Sequence, residues 1–152
     1  MSVSKWVYLA LISMSPVVEC RGSIPYGLLE HMPVSGVFAV AFLANTLMGI
    51  IVYECVKLLK RWLLKYPKLN GYYQKYLYGA LKRFRKYETG LAVSLALFVG
   101  IPLPGTGAFT GGVIAEALDV KRPLAWISIA AGVLIACVVV TAVTWSAMQI
   151  AR

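Results

Sequence analysis

Two stretches of the chain are long and apolar enough to cross a lipid bilayer, and this limits what the protein can be. Residues 33–56 carry a single charge, at Glu54, and residues 124–150 carry none. A membrane-spanning helix needs about 20 predominantly apolar residues to cross about 30 Å of hydrocarbon. Both stretches are therefore predicted to be transmembrane helices.

The distribution of charge supports a single membrane domain over residues 1–152. Charged residues make up 14% of the chain, against about 25% in soluble domains. Ten of the fifteen basic residues lie between Lys57 and Lys86, and no acidic residue falls among them. Because loops rich in lysine and arginine stay on the cytoplasmic side, this segment indicates a multi-pass protein of the cell (plasma) membrane rather than a nucleic-acid-binding protein.

The basic segment, residues 57–88, also has an amphipathic pattern. Apolar residues recur at helical spacing from Cys55 to Tyr66 and again from Tyr73 to Phe84, with lysine and arginine on the opposite side. This pattern predicts two amphipathic helices that lie in the headgroup layer, with membrane lipids as their partners.

Two further apolar segments, residues 6–31 and 91–118, are interrupted in the middle. The arm from Leu91 to Ile101 would reach only about 16 Å as a helix, roughly half of the hydrocarbon thickness. Broken backbone at membrane depth is tolerated only where protein or a water-filled cavity surrounds it. Each segment is therefore predicted to be a re-entrant hairpin. The residues predicted to break them are Pro16, Gly22, Pro25, Pro102 and Pro104.

The order of elements repeats, with a hairpin followed by a span in each half of the chain. Because the two halves would enter the membrane from opposite faces, the expected fold is an all-α membrane protein built as an inverted-topology repeat. Many secondary transporters have this architecture, with their sites at broken helices near the midplane.

Two charges, Glu19 and Arg21, fall within the first hairpin. A charge at the bilayer centre costs about 2.5–3.5 kcal/mol even on the insertion scale, so it marks a functional site by default. In the extended chain that Gly22 and Pro25 favour, both side chains would face one cavity. Arginine would bind an anion, and the carboxylate would carry the coupled proton. The alternatives are a static ion pair and a pair in the membrane interface.

The second break is rich in small and hydroxyl residues that suit an anion. Glycines let backbone N–H groups approach a ligand, and the arm after the break offers a helix N-terminus. The predicted substrate-binding residues are Arg21, Gly105, Thr106, Gly107 and Thr110. Glu116 is either a second ion-coupling residue beside Glu19 or a carboxylate at the cytoplasmic edge with Asp119. No metal site, no cofactor and no catalytic residue are expected.

Two motifs resemble a known family. Glu-Cys-Arg-Gly-Ser-Ile-Pro-Tyr-Gly begins at Glu19, and Ile-Pro-Leu-Pro-Gly-Thr-Gly-Ala-Phe-Thr-Gly-Gly begins at Ile101. Together they resemble the putative small multidrug export protein family, and the chain is similar, more distantly, to the DedA/VTT membrane superfamily. The second resemblance implies movement of phosphate-bearing carrier lipids coupled to ions, and the first implies drug efflux.

The leading hypothesis is an ion-coupled transporter or flippase, with the proton as the coupling ion, for an amphiphilic, phosphate-bearing lipid. Two spans cannot enclose a pathway, so a homodimer is expected. The alternatives are a proton-coupled exporter of cationic compounds and a non-transporting membrane scaffold. An enzyme is not expected, since no nucleophile–base pair is present beyond Glu19 and Arg21.

Overall fold

The structure is a computed structural model that describes residues 3–63, 67–84, 90–103 and 105–150. Over these ranges all regular elements are α-helices, so the predicted all-α class is confirmed. They are α1 (Val3–Ser13), α2 (Glu19–Leu29), α3 (Val34–Leu63), α4 (Pro67–Phe84), α5 (Leu91–Gly100), α6 (Ala108–Ala117) and α7 (Arg122–Ile150).

The two predicted spans are confirmed as helices long and apolar enough to cross a membrane. These candidate spans run over Val34–Lys60 and Arg122–Ile150. Proline stands just before α3 and in the first turn of α7, where its missing N–H leaves no helical hydrogen bond unmade.

The structure differs from the sequence prediction at the end of the first span. The separate amphipathic helix predicted to begin at Cys55 is wrong, because α3 continues without interruption to Leu63. Neither proline nor glycine occurs between Val56 and Leu63 to end the helix. The second amphipathic helix is α4, although residues 64–66 and 85–89 of the basic segment lie outside the described residues.

The chain breaks at some of the predicted residues and not at others. Pro16 lies between α1 and α2, and Pro102 lies between α5 and α6, whereas Pro104 is outside the described residues. Gly22 and Pro25 lie inside α2, so the prediction of an extended chain there is wrong. Proline in a helix removes one hydrogen bond, but α2 keeps its helical backbone on both sides of Pro25.

Each pair of short helices starts and finishes at one end of the bundle. The start of α1 meets the end of α2 through the Lys5 Nζ–Glu30 Oε2 ion pair of 2.5 Å. The start of α5 shares a cavity with the first turns of α7, which begins five residues after α6 ends. Both pairs are therefore helical hairpins about 15 Å deep, at 1.5 Å per residue.

The helices α1 to α3 and α5 to α7 begin at similar spacings along the chain, with α4 between them. Leu91 starts α5 88 positions after Val3 starts α1 (91 − 3), and Arg122 starts α7 88 positions after Val34 starts α3 (122 − 34). The second arms end alike: His31 and Asp119, also 88 apart (119 − 31), both have left-handed backbone after α2 and α6, at φ 56° and φ 51°. Such a residue often ends a helix, although glycine is the usual choice.

The long helices α3 and α7 run in opposite directions. Glu54 in α3 forms a 3.0 Å ion pair with Arg122 at the start of α7. At the other end of α3, Val34 shares an apolar cavity with Ala142. Val34 and Arg122 are 88 positions apart (122 − 34), and so are Glu54 and Ala142 (142 − 54). The two contacts therefore join corresponding positions of the two helices.

Candidate functional site

The side chain of Glu19 reaches from the first hairpin into the break of the second. Glu19 is the first residue of α2, has left-handed backbone at φ 53° and is 6% exposed. Its Oε1 accepts a hydrogen bond from the backbone N–H of Phe109 at 3.2 Å. Because Phe109 lies in the first turn of α6, the carboxylate caps the positive end of that helix dipole.

Gly107 is required for this contact because of space rather than backbone conformation. Its φ of 176° is extended backbone that any residue can adopt. A Cβ atom at Gly107 would collide with both carboxylate oxygens of Glu19 and would lie 2.5 Å from its Cδ. The glycine therefore lets the α6 N-terminus approach the carboxylate.

Arg21 satisfies the carbonyl groups of the same break. Its Nη1 donates to the Leu103 carbonyl at 2.5 Å, and its Nη2 donates to the Thr106 carbonyl. Nη2 also lies 3.2 Å from Thr106 Oγ1 and 3.4 Å from the Ile101 carbonyl. Carbonyl groups past the end of a helix have no helical partner, and the guanidinium supplies one.

The first turn of α2 therefore brings opposite charges to the two sides of the second break. The carboxylate of Glu19 meets the amide groups where α6 begins, and Arg21 meets the carbonyl groups that follow α5. Thr106, 3% exposed, closes the loop with its hydroxyl 2.8 Å from the Ile101 carbonyl. Among the predicted site residues, this arrangement brings together Glu19, Arg21, Thr106 and Gly107.

The Glu19–Gly107 contact also has a particular place in the fold. The two residues are 88 positions apart (107 − 19), the same offset that relates the elements of the two halves. The site therefore lies where the two halves meet.

The other predicted site residues lie outside this contact. Thr110 shares a 2.8 Å hydrogen bond with the hydroxyl of Tyr76 in α4. Gly105, at φ 78°, lines a cavity on the same side.

Glu116 lies at the opposite end of α6 from Glu19. It is 4% exposed and forms a 3.1 Å ion pair with Lys60, which also lies 3.5 Å from Asp119. The hydroxyl of Tyr73 is 3.5 Å from Glu116 Oε2. Burial raises the pKa of Tyr73, and the neighbouring Glu116 carboxylate raises it further. The phenol therefore stays neutral and is the donor.

A buried polar residue near the middle of α3, Asn45, is not among the predicted site residues. Asn45 is 1% exposed, and its Oδ1 has no hydrogen-bond partner among the described residues. An amide in an otherwise apolar span was the available signal, since buried polar groups need partners.

The comparison with protein families agrees with the motifs that carry the site. Residues 19–139 match the model of the family described as putative small multi-drug export protein. No curated protein and no solved structure matches the chain. The match begins at Glu19, covers α2, α3, the second break and the first part of α7, and extends over most of the chain. The family and the two apolar helices indicate a membrane protein with an export or transport role, and the chain belongs to the putative small multi-drug export protein family.

Proposed function

We propose that this protein is a proton-coupled transporter of an amphiphilic anion, most simply a phosphate-bearing lipid, with its site at the contact between Glu19 and the α6 N-terminus. The observation that carries the proposal is a buried carboxylate bound to a helix N-terminus beside an arginine fork. Helix N-termini and arginine are both suited to phosphate. The enclosing membrane is proposed to be the plasma membrane, with the basic segment on the cytoplasmic side.

The architecture proposed with this function is an inverted repeat of a re-entrant hairpin and a span. The common offset of 88 residues and the antiparallel α3 and α7 support it, as do hairpins about 15 Å deep. Glu54, Lys60, Glu116 and Arg122 gather at one end of the bundle. Placing that end in the cytoplasm satisfies the positive-inside rule. Transporters with such repeats bind substrate at the repeat interface, where the Glu19–Gly107 contact lies.

Glu19 acts in this proposal as an anion tethered to the protein. In the structure both charges have protein partners, because the carboxylate accepts from the Phe109 N–H and the terminal nitrogens of Arg21 donate to backbone carbonyl groups. The buried Nε of Arg21 has no partner among the described residues. When Glu19 takes up a proton, it becomes neutral and loses its attraction to the helix dipole. A phosphate group then takes its place at the α6 N-terminus, and Arg21 turns from the carbonyl groups to the phosphate oxygens.

This exchange couples one proton to one anion. Substrate and ionised Glu19 compete for the same amide groups, so protonation raises the affinity for the substrate. By reciprocity, bound substrate raises the affinity of Glu19 for its proton. The two are carried together across the membrane, with the proton on a Glu19 carboxylate oxygen and no covalent bond formed to the substrate.

A cationic drug is the second candidate, favoured by the description of the family that the chain matches. In that case ionised Glu19 would bind the cation itself, and a proton would displace it. The presence of Arg21 in the same turn of α2 opposes a cation there. A non-transporting scaffold would require neither charge, although it would keep the buried contact between the hairpins.

Flux measurements in proteoliposomes separate these functions. The purified protein is reconstituted with a fluorescent phosphate-bearing lipid or with a cationic dye, with and without a pH gradient. We expect gradient-dependent movement of the phosphate-bearing lipid, at least tenfold above protein-free liposomes, and none of the dye. Gradient-dependent dye flux would instead support the cation exporter. If neither substrate moved, both transport hypotheses would be wrong and the non-transporting scaffold would be supported.

Two further parts of the proposal concern assembly and chemistry. A homodimer is proposed because two long helices per chain cannot surround a pathway. No enzymatic activity is proposed, since transport by this exchange needs no nucleophile.

A further inference from the structure

A cavity of about 220 Å³ lies between α4 and the second hairpin, apart from the Glu19–Gly107 contact. It is lined by Lys75, Tyr76, Gly79 and Ala80 of α4 and by Gly105 and Thr110 of the second hairpin. Pockets that take drug-sized molecules measure about 300–1,000 Å³. This cavity is therefore sized for a headgroup rather than for a whole drug molecule.

The polar groups of the cavity are suited to an anion. Lys75 contributes an ammonium group, and none of the described residues that line the cavity carries a carboxylate. The hydroxyls of Tyr76 and Thr110 are 2.8 Å apart, and either can donate to the other. Their mutual bond uses one of the two hydroxyl hydrogens, so the second can be donated to a ligand. One cation and a hydroxyl donor converge on the same space.

The position of the cavity indicates where such an anion would come from. On one side it is lined by Gly105 of the second break and by Thr110. Thr110 lies in the first turn of α6, at the positive end of the helix dipole. Its other wall is α4, a basic amphipathic helix whose polar face suits the headgroup layer. The anions nearest to that helix are lipid phosphates.

Gly79 keeps the cavity open. It stands within α4, where glycine costs about 1 kcal/mol relative to alanine. A Cβ atom at Gly79 would meet no other atom within 4 Å, so the space beside it is empty. Gly71 is also in α4 and also has open space around it, but it does not line the cavity. The two glycines form a matched pair for testing.

We propose that this cavity binds the phosphate group of an anionic membrane lipid, which holds α4 against the second hairpin. The Tyr76 ring also packs edge-on against Phe109, with ring centroids 6.4 Å apart. Phe109 provides the N–H that binds Glu19. The next residue, Thr110, lines the cavity, so the bound lipid lies beside the transport site. This inference goes beyond the proposed function, because it requires binding at α4 and not transport.

Calorimetric titration of the full chain in a neutral detergent tests the inference. The probes are dihexanoyl phosphatidylglycerol, dihexanoylglycerol as its match without phosphate, and inorganic phosphate. We expect the wild-type protein to bind phosphatidylglycerol and not dihexanoylglycerol. Lys75→Gln and Gly79→Leu should each weaken binding at least tenfold, whereas Lys82→Gln and Gly71→Leu should change it less than twofold.

Three results would overturn the inference. Equal losses in the cavity variants and their matched controls would mean that the lipid does not bind in the cavity. Inorganic phosphate bound as tightly as phosphatidylglycerol would mean that the ligand is not a lipid. Equal affinity for dihexanoylglycerol and phosphatidylglycerol would mean that the protein does not recognise the phosphate group. In the Glu19→Gln background, Lys75→Gln should still remove one phosphatidylglycerol site per chain, because Lys75 lines the cavity and Glu19 does not. A failure of the transport proposal is therefore distinguishable from a failure of this one.

Discussion

Replacing Gly107 by alanine is expected to abolish transport and to lower the thermal stability of the protein. The new Cβ atom would collide with both carboxylate oxygens of Glu19. The side chain would have to leave the α6 N-terminus or force the two hairpins apart. Overpacking of this kind costs about 1–3 kcal/mol, to which the loss of the Phe109 hydrogen bond is added.

The control for Gly107→Ala is Gly71→Ala. Gly71 has no atom within 4 Å of a Cβ position, and alanine in a helix is favoured over glycine by about 1 kcal/mol. The control should therefore keep or raise the melting temperature in detergent and keep the flux in proteoliposomes. If Gly107→Ala matched Gly71→Ala in both measurements, the close contact between the hairpins would be unimportant.

Removal of Arg21 is expected to have the second large effect, and the effect is structural as well as functional. Without the guanidinium, the Thr106 carbonyl loses its donor, and the Leu103 carbonyl keeps only the donors of Thr106. A buried polar group left without a partner costs about 1–3 kcal/mol. Arg21→Ala should therefore lower the melting temperature and reduce flux at least tenfold.

The substitution Arg21→Lys separates the charge from the geometry. Lysine keeps the positive charge but has no planar fork, so it should recover part of the stability and little of the transport. Lys5→Ala is the control, because it removes a cation from an exposed ion pair, and such pairs contribute about 0–1 kcal/mol. Full recovery of flux by Arg21→Lys would contradict the role of the fork. Because Arg21 is needed for the fold of the break, its loss alone does not distinguish an anion transporter from a cation exporter.

The sequence was sufficient to predict the parts of the fold that depend on local composition. Long apolar stretches located α3 and α7, although α3 extends past its predicted end to Leu63. The proline-rich sequence around Pro102 marked a true interruption. Local composition failed at Pro25 and Gly22, where a helix persists through residues that usually break one. There α2 packs against α1, α3 and α7, and such tertiary packing outweighs a propensity of a few kcal/mol.

The sequence was sufficient to predict which residues form the site, but not how they contact one another. Glu19 and Arg21 were identifiable because charges in apolar segments are rare. Their partners were not, since Phe109 and Leu103 contribute backbone atoms and lie more than 80 positions away along the chain. The prediction placed both charges in a cavity open to substrate, whereas the structure uses them to cap the second break. Only the packing of one half against the other reveals that Glu19 occupies the place proposed for the substrate.

The pH dependence of substrate affinity in Glu19→Gln tests the central claim most directly. Glutamine keeps an oxygen that can accept from Phe109 but cannot ionise. The affinity of the wild-type protein for a fluorescent phosphate-bearing lipid should rise as the pH falls, because protonation releases the α6 N-terminus. The affinity of Glu19→Gln should be high and independent of pH, and lipid bound in the α4 cavity is common to both proteins. An unchanged pH dependence in Glu19→Gln, or a wild-type affinity that falls with decreasing pH, would contradict Glu19 as the tethered, proton-binding anion.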